Sequence, residues 1–388
     1  MRLSALGVRN VLRNRARTVL TILGVAVAIV AFMALRTVLT SWTEAINHAA
    51  RDRIATRHKI TFVMTLPKRY VDDVRNTPGV VKATYSNWFG GQNPKNENEF
   101  FATIAVEPPS FLEVFDEIQV PADQKESWLS NRRGAVVGDV LAKKFGWKVG
   151  DRVTLKGTIY PGNWEFDISG IYTATRRSVD RSTFWFHWDY LNDTVDARSK
   201  DQIGWIAARI DNPERAADIS KRIDTHFDEK DIQTLSMSER ALNTSFLGMF
   251  TTVLKAMDVV SIVILLIMML ILGNTIAMGV RERTNEYGVL RAIGFLPKHI
   301  ALFVIGEAIT IGALGGAVGI LLSYPLVEKG IGRWLEENMG GFFPYFRIAD
   351  GTTIAAALLS LALGGLAAAI PAYRASKLDV IDALRRVG

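Results

Sequence analysis

A compact group of chemistry-bearing side chains in this 388-residue sequence is Arg281, Glu282, Arg283 and Glu286, followed at once by Tyr287, Gly288, Leu290, Arg291, Ala292 and Gly294. Guanidinium and carboxylate groups interleaved with apolar residues on a short helix suit a knob that fits a groove on a partner. Gly294 reads as the stop of that helix. The plainer reading is an interfacial loop whose charges only anchor topology. A lone acid, Glu307, follows inside an apolar run. An ionisable group near the centre of a membrane costs on the order of 2.5 kcal/mol or more, which makes it a candidate for function, although one acid without further polar lining makes a poor ion path. Its structural alternatives are a pair with a loop Arg near the end of the span and a hydrogen bond to Asn274 across the bundle. No GxxxxGK[ST] phosphate loop, no GxSxG elbow and no acid-base pair of carboxylates occurs. The histidines His48, His58, His187, His226 and His299 have no HExxH spacing, and there is no cysteine to form a disulfide or a thiolate metal site. The chain is therefore assigned no catalytic residue, no metal and no cofactor of its own.

Those residues need apolar elements to hold them. Hydrophobic residues make up 49% of the chain and the mean hydropathy is +0.15, a mixture that fits membrane helices plus one soluble domain. The expected fold is a membrane α-helical bundle of four transmembrane helices with an α+β extracytoplasmic domain inserted between the first and second spans. A basic amphipathic helix over 1–17, with Arg9, Arg13 and Arg17 on one side, precedes the first span at 18–40. The outer domain takes 41–238, with stalk helices at both ends; 239–280 holds the second stalk and the second span. Residues 281–298 form the charged connection, 299–327 the third span, 328–350 an outer loop, 351–373 the fourth span and 374–388 a tail. Lys and Arg dominate the N-terminal segment, 281–298 and the tail, whereas 328–350 is more acidic than basic. The positive-inside bias then places both termini and the charged connection in the cytoplasm, and the net charge of +7 needs no nucleic acid to explain it.

Gly312, Gly315, Gly316 and Gly319 give two overlapping GxxxG spacings on the third span, and Gly364 and Gly365 thin the fourth. Small residues let helix backbones approach where lipid supplies no hydrophobic drive, so these are packing positions, within the chain or between copies. In the outer domain, Phe101 to Val106 and Ile203 to Ile210 read as strands and Pro213 to Phe227 as an amphipathic helix. Gly134 to Leu155 reads as strand, helix, turn and strand. The aromatic run Phe184 to Trp188, after Arg176, Arg177 and Arg181, could form a stacking platform for a sugar or nucleic acid, but aromatics at alternating strand positions more often build a core.

Four stretches carry a resemblance: RERTNEYGVLRAIGF (Arg281 to Phe295), PAYRASKLDVIDALR (Pro371 to Arg385), LGVRNVLRNRARTVLTILGVAVA (Leu6 to Ala28) and VVGDVLAKKFGWKVGDRVTL (Val136 to Leu155). Together they resemble the permeases of the MacB/FtsX/LolC-LolE class of ABC transporters. The resemblance implies a permease-only chain of the bacterial inner membrane, paired with a second copy or a homologous permease in the membrane lipid. It implies docking through Arg281 to Phe295 on a separate MacB/LolD-type ATPase that binds ATP and Mg, and mechanotransmission to the periplasmic domain. A periplasmic adaptor and a TolC-like outer-membrane channel belong to the efflux version of this arrangement. Release of lipoproteins and FtsX-like control of cell-wall hydrolases are the other outputs it allows, and a membrane-anchored receptor without an ATPase is the reading from another class.

Overall fold

A computed structural model describes residues 15–47, 50–96, 99–176, 179–340, 343 and 345–378. The amphipathic helix expected over 1–17, with Arg9 and Arg13, lies almost wholly outside the described residues, as do Arg177 and the tail beyond Leu378. Among the described residues, four helical stretches are long and apolar enough to cross a membrane: Arg15–Thr43, Thr251–Glu282, Pro297–Asn338 and Asp350–Ser376. The chain divides into two compact units. One holds the chain up to Thr40, Thr251–Gly332 and the chain from Arg347 onward; the other holds Ser41–Phe250 and Arg333–Phe346.

In the first unit, the glycines of the third span settle against two different neighbours. A methyl group added at Gly312 would meet the Ser360 carbonyl oxygen at 2.5 Å, and one at Gly316 would collide with the Ser360 side chain. Gly364 returns the contact, since a Cβ there would lie 2.9 Å from the Ala308 carbonyl. Gly315 and Gly319 instead face the first span, where a Cβ would meet Val25 at 2.6 Å and the Ala26 carbonyl at 2.8 Å. One GxxxG register thus serves the fourth span and the other serves the first, both within one chain. The helix of the third span, Pro297–Ser323, does not stop where a loop was expected; it continues as a π-helix over Tyr324–Gly332 and as an α-helix over Arg333–Asn338. Pro325 accounts for the change of winding, because its ring displaces the carbonyl one turn back and it has no N–H to donate.

The second unit is built on a mixed sheet of eleven strands. Its main path runs Thr234–Ser238, Arg53–His58, Trp205–Ile210, Val80–Trp88, Thr103–Val106, Phe184–His187, Gly134–Gly138, Gly162–Ala174, Arg152–Gly157 and Gly91–Gln92. Phe184–His187 pairs parallel with Thr103–Val106, and Gly134–Gly138 pairs parallel with Gly162–Ala174; the remaining pairings are antiparallel. Alternation sorts side chains to two cores. Ala105, Ala135, Val137, Phe184 and Phe186 enter one, while Ile104, Val106 and Val136 enter the other. Phe184, Phe186 and Trp188 are buried, and Trp185 packs on Phe111 with ring centroids 4.6 Å apart. The aromatic run is core and not an open platform. Residues 333–346 join this unit: Asn338 accepts from Lys144 at 3.0 Å, and Phe343 stacks on Trp42 at 5.5 Å.

One buried cation ties the sheet together. Arg53, 4% exposed, donates to Glu117 at 2.6 and 3.2 Å, to the Val114 carbonyl at 3.1 Å and to Glu239. Its guanidinium also lies 4.0 Å from the Phe115 ring centroid. Removing one member of such a cluster strands a buried charge, which costs more than the intact cluster contributes. Arg53→Ala is expected to destabilise the protein by roughly 3–5 kcal/mol, seen as a lowered thermal midpoint of the full chain in detergent. Gly316→Val should separate the third and fourth spans, and its expected signature is lower folded yield and earlier aggregation on heating, with Gly306→Val, which meets open space, as the silent comparison.

Candidate functional site

The charged connection folds as a short helix, Thr284–Ala292, directly after the second span ends at Glu282. The Thr284 hydroxyl donates to the Arg281 carbonyl at 3.0 Å and to the Val280 carbonyl at 3.2 Å, bonding carbonyls at the end of the second span across the turn. At the other end Gly294 takes φ +105°, the left-handed region that favours glycine. There the Phe295 N–H donates to the Leu290 carbonyl and the Gly294 N–H to the Arg291 carbonyl, closing the helix in the Schellman pattern. The expected helix stop is where the sequence places it.

Two contacts hold this helix and a third braces the span just before it. Arg283 donates to Glu307 at 2.8 Å, and the two side chains are only 13% and 16% exposed. Of the two partners open to Glu307 in the sequence, the loop Arg is the one it takes; Asn274 is exposed and makes no hydrogen bond with it. Arg17 grips Glu282 with both nitrogens, at 2.8 and 2.5 Å, and joins the first span to the second. Arg291 donates to the Ser376 carbonyl at 2.9 Å, which reaches the end of the fourth span's helix. Between these contacts lies a cavity of about 290 Å³, lined by Arg17, Thr275, Glu282, Arg283, Glu286 and Glu307. Tyr287 is buried beneath the helix, and that burial, with the Glu307 carboxylate adding to it, pushes the phenol above its usual range.

The helix therefore has an inner and an outer face. Thr284, Tyr287 and Gly288 are buried, and Arg283, Leu290 and Arg291 are half-buried. Arg281, Glu282, Glu286, Ala292 and Gly294 are exposed, together with Val289, Ile293 and Leu296 at 47%, 71% and 50%. Val289 and Leu296 were not singled out in the sequence, although the spacing 285, 289, 292–293, 296 is the helical period that would have found them. The arrangement is a helix carrying a mixed charged and apolar ridge on its exposed side.

Two family profiles match the chain. The MacB-like periplasmic core domain profile matches residues 18–226, and the FtsX-like permease C-terminal profile matches residues 259–380. An ABC transporter permease of Methanocaldococcus jannaschii is 22% identical over 97% of this chain and 96% of its own length. The macrolide export ATP-binding/permease protein MacB of Burkholderia thailandensis is 27% identical over 47% of this chain, and the match spans 27% of that longer protein. The ABC transporter permease YtrF of Bacillus subtilis is 33% identical over 29% of this chain and 28% of its own length. The periplasmic region of MacB from Actinobacillus actinomycetemcomitans aligns with 52% of this chain and 95% of that structure at 10% identity and a TM-score of 0.37.

The two ion pairs should respond differently to mutation. Arg283→Met or Glu307→Leu alone leaves a buried charge without its partner and is expected to cost roughly 3–5 kcal/mol, while the double substitution recovers most of it. Arg17→Met should cost no more than about 1 kcal/mol, because Glu282 is more than half exposed. Thermal unfolding of the four variants in one detergent measures the contrast.

Proposed function

The chain belongs to the MacB/FtsX family of ABC transporter permeases, and on that premise we propose that it is the membrane subunit that receives movement from a separate ATPase through residues 281–296. The observation that carries this reading is the helix Thr284–Ala292, fastened at its start to the third span and at its end to the fourth while its outer side carries Glu286, Val289 and Ile293. A surface meant to take up force must not slip on its own scaffold, and the Arg283–Glu307 ion pair at its start with the Arg291–Ser376 hydrogen bond at its end supplies that stiffness. In this reading Arg281, Glu282, Glu286, Ala292 and Gly294 face the ATPase, while Arg283, Tyr287, Gly288, Leu290 and Arg291 seat the helix. Glu307 anchors Arg283 and is not part of an ion path; Gly312, Gly315, Gly316 and Gly319 hold the spans close enough to move together.

The basic bias of residues 281–298 supports a cytoplasmic position for the helix, with both termini on the same side and the MacB-like domain outside. ATP and Mg would be held by the partner ATPase and not by this chain. Two permease copies, or this chain with a homologous one, would complete the membrane part in the cytoplasmic membrane. The output is movement of the outer domain that drives export of a substrate from the outer face, with an adaptor and an outer-membrane channel as further partners where the envelope has them.

Glu286→Lys and Ile293→Asp test this assignment, since both change the outer ridge and leave Arg283, Glu307 and Arg291 in place. Each is expected to weaken co-purification with the cognate ATPase by about tenfold or more, in line with loss of a charged or apolar anchor at an interface, and to abolish stimulated ATP hydrolysis while circular dichroism stays unchanged. Full complex formation and full coupled hydrolysis by both variants would remove the docking assignment.

A further inference from the structure

The outer domain holds a pocket that the coupling function does not use. Its volume is about 570 Å³, within the range of about 300–1,000 Å³ common for small-molecule sites. Its walls come from the short ladder that pairs Leu66–Pro67 with Gln202–Ile203, from the start of the helix Tyr70–Arg75 and from Tyr85 on the strand Val80–Trp88. The frame is tightly bonded. The Lys68 N–H donates to the Asp201 carbonyl at 2.8 Å, and the Trp188 indole donates to the Gln202 carbonyl at 3.1 Å. Asp201 itself holds φ +56°, a conformation that Asp and Asn tolerate better than most residues.

Within this frame the polar groups are unequally satisfied. Tyr85 is only 3% exposed, yet its hydroxyl has no hydrogen-bond partner among the described residues, and it lines the pocket. The ring is held in the core while the O–H group opens on the cavity, which leaves a fixed donor for an acceptor that enters the pocket. The Lys68 ammonium lies 4.5 Å from the Trp188 ring centroid and 5.5 Å from that of Tyr85, and it makes no ion pair among the described residues. Those two rings, edge to face at 5.2 Å, fix the ammonium in place while leaving its N–H groups unspent. Arg69, exposed at the pocket edge, also has no carboxylate partner among the described residues. Three acids that line or border the pocket are already engaged. Asp72 pairs with Arg75 at 3.4 Å, Glu107 binds the same Arg75, and Asp201 accepts from the Asn192 amide at 3.3 Å.

We infer that this pocket binds a small organic ligand through an oxyanion, a carboxylate or a phosphate, seated on the Lys68 ammonium and the Tyr85 hydroxyl with Arg69 closing over it. A bare ion would fill only a small part of the volume, so the ligand carries a body that lies along Pro67 and Val71. Burial, with the Glu107 carboxylate next, raises the phenol pKa and keeps Tyr85 protonated as a donor. This places a ligand site on the outer domain itself, and it does not depend on how the ATPase docks.

The test uses the full chain in detergent with no ATPase present, titrated calorimetrically with benzoate, phenyl phosphate, inorganic phosphate and phenethylamine. Saturable binding of benzoate or phenyl phosphate at about 10 mM or below is expected, weaker for inorganic phosphate and absent for phenethylamine. Preference between the first two tells a carboxylate ligand from a phosphate one. Lys68→Met should weaken binding by about tenfold or more and Tyr85→Phe by about threefold to tenfold, as loss of a charged and of a neutral hydrogen bond predicts. Lys125→Met, on a distant exposed helix, serves as the unchanged control. No saturable binding of either organic anion, preference for phenethylamine, or wild-type affinity in a folded Lys68→Met chain overturns the inference.

Discussion

The pair between Arg283 and Glu307 is the contact on which the charged end of the bundle depends. Glu307 lies roughly three turns into a helix that starts at Pro297, where an unpaired carboxylate would carry a heavy desolvation cost. That cost makes the partner obligatory, and the partner sits at the first residue beyond the second span. The geometry of the loop is therefore not free. Once Arg283 is committed to Glu307, the following helix must start beside the third span, with Tyr287 turned inward and Glu286 and Val289 turned outward. The polar cost of placing one acid in the membrane is what orients the exposed ridge.

The four spans are held by two different means. The first, third and fourth approach so closely that side chains are excluded at Gly312, Gly315, Gly316, Gly319 and Gly364, and van der Waals contact between backbones does the work. The second span is largely exposed along Val259, Ile262, Leu266 and Leu270. Toward the first span it is fastened at its ends, by Arg17 to Glu282 and by Arg36 to Asp258 at 2.8 Å, with Thr21 and Thr275 in contact at 3.3 Å between them. Arg17 and Arg36 are about 28 Å apart along a helix of 1.5 Å rise, close to the thickness of a hydrocarbon core. Ion pairs at those two levels avoid the dry centre and still set the register of the two helices.

How much of this could be read from the sequence follows from how local each signal is. The apolar runs, the helix stop at Gly294 and the alternation of Phe184, Trp185 and Phe186 are local, and each is legible in a window of a few residues. The choice of Arg283 over Asn274 for Glu307 was narrowed by the sequence to two kinds of partner, because depth in a span limits what an acid can reach. Arg17 with Glu282 and Arg53 with Glu117 and Glu239 were not legible at all, since nothing in either neighbourhood marks a partner so far along the chain. The continuation of helix past Val327 was missed for another reason. A proline followed by charged residues reads as an end, and only neighbouring turns that accept a π winding allow the chain to go on.

Arg53 gives the outer domain a counterpart to the pair at the charged end. The strand Arg53–His58 follows the first long helix in the chain, and the helix Glu239–Met249 leads toward the second. Arg53 opens that strand, Glu239 opens that helix, and one guanidinium binds both it and Glu117 in a site where both Arg53 and Glu117 are nearly excluded from solvent. Neighbouring strands reinforce the junction, because Arg53–His58 pairs directly with Thr234–Ser238, the strand that ends where Glu239 begins. Separating the two connections would break a buried charge cluster, which strands an uncompensated charge. One buried cluster thus joins the two chain connections of this domain, and Glu117 sits beside the second core packed around Phe111 and Trp128.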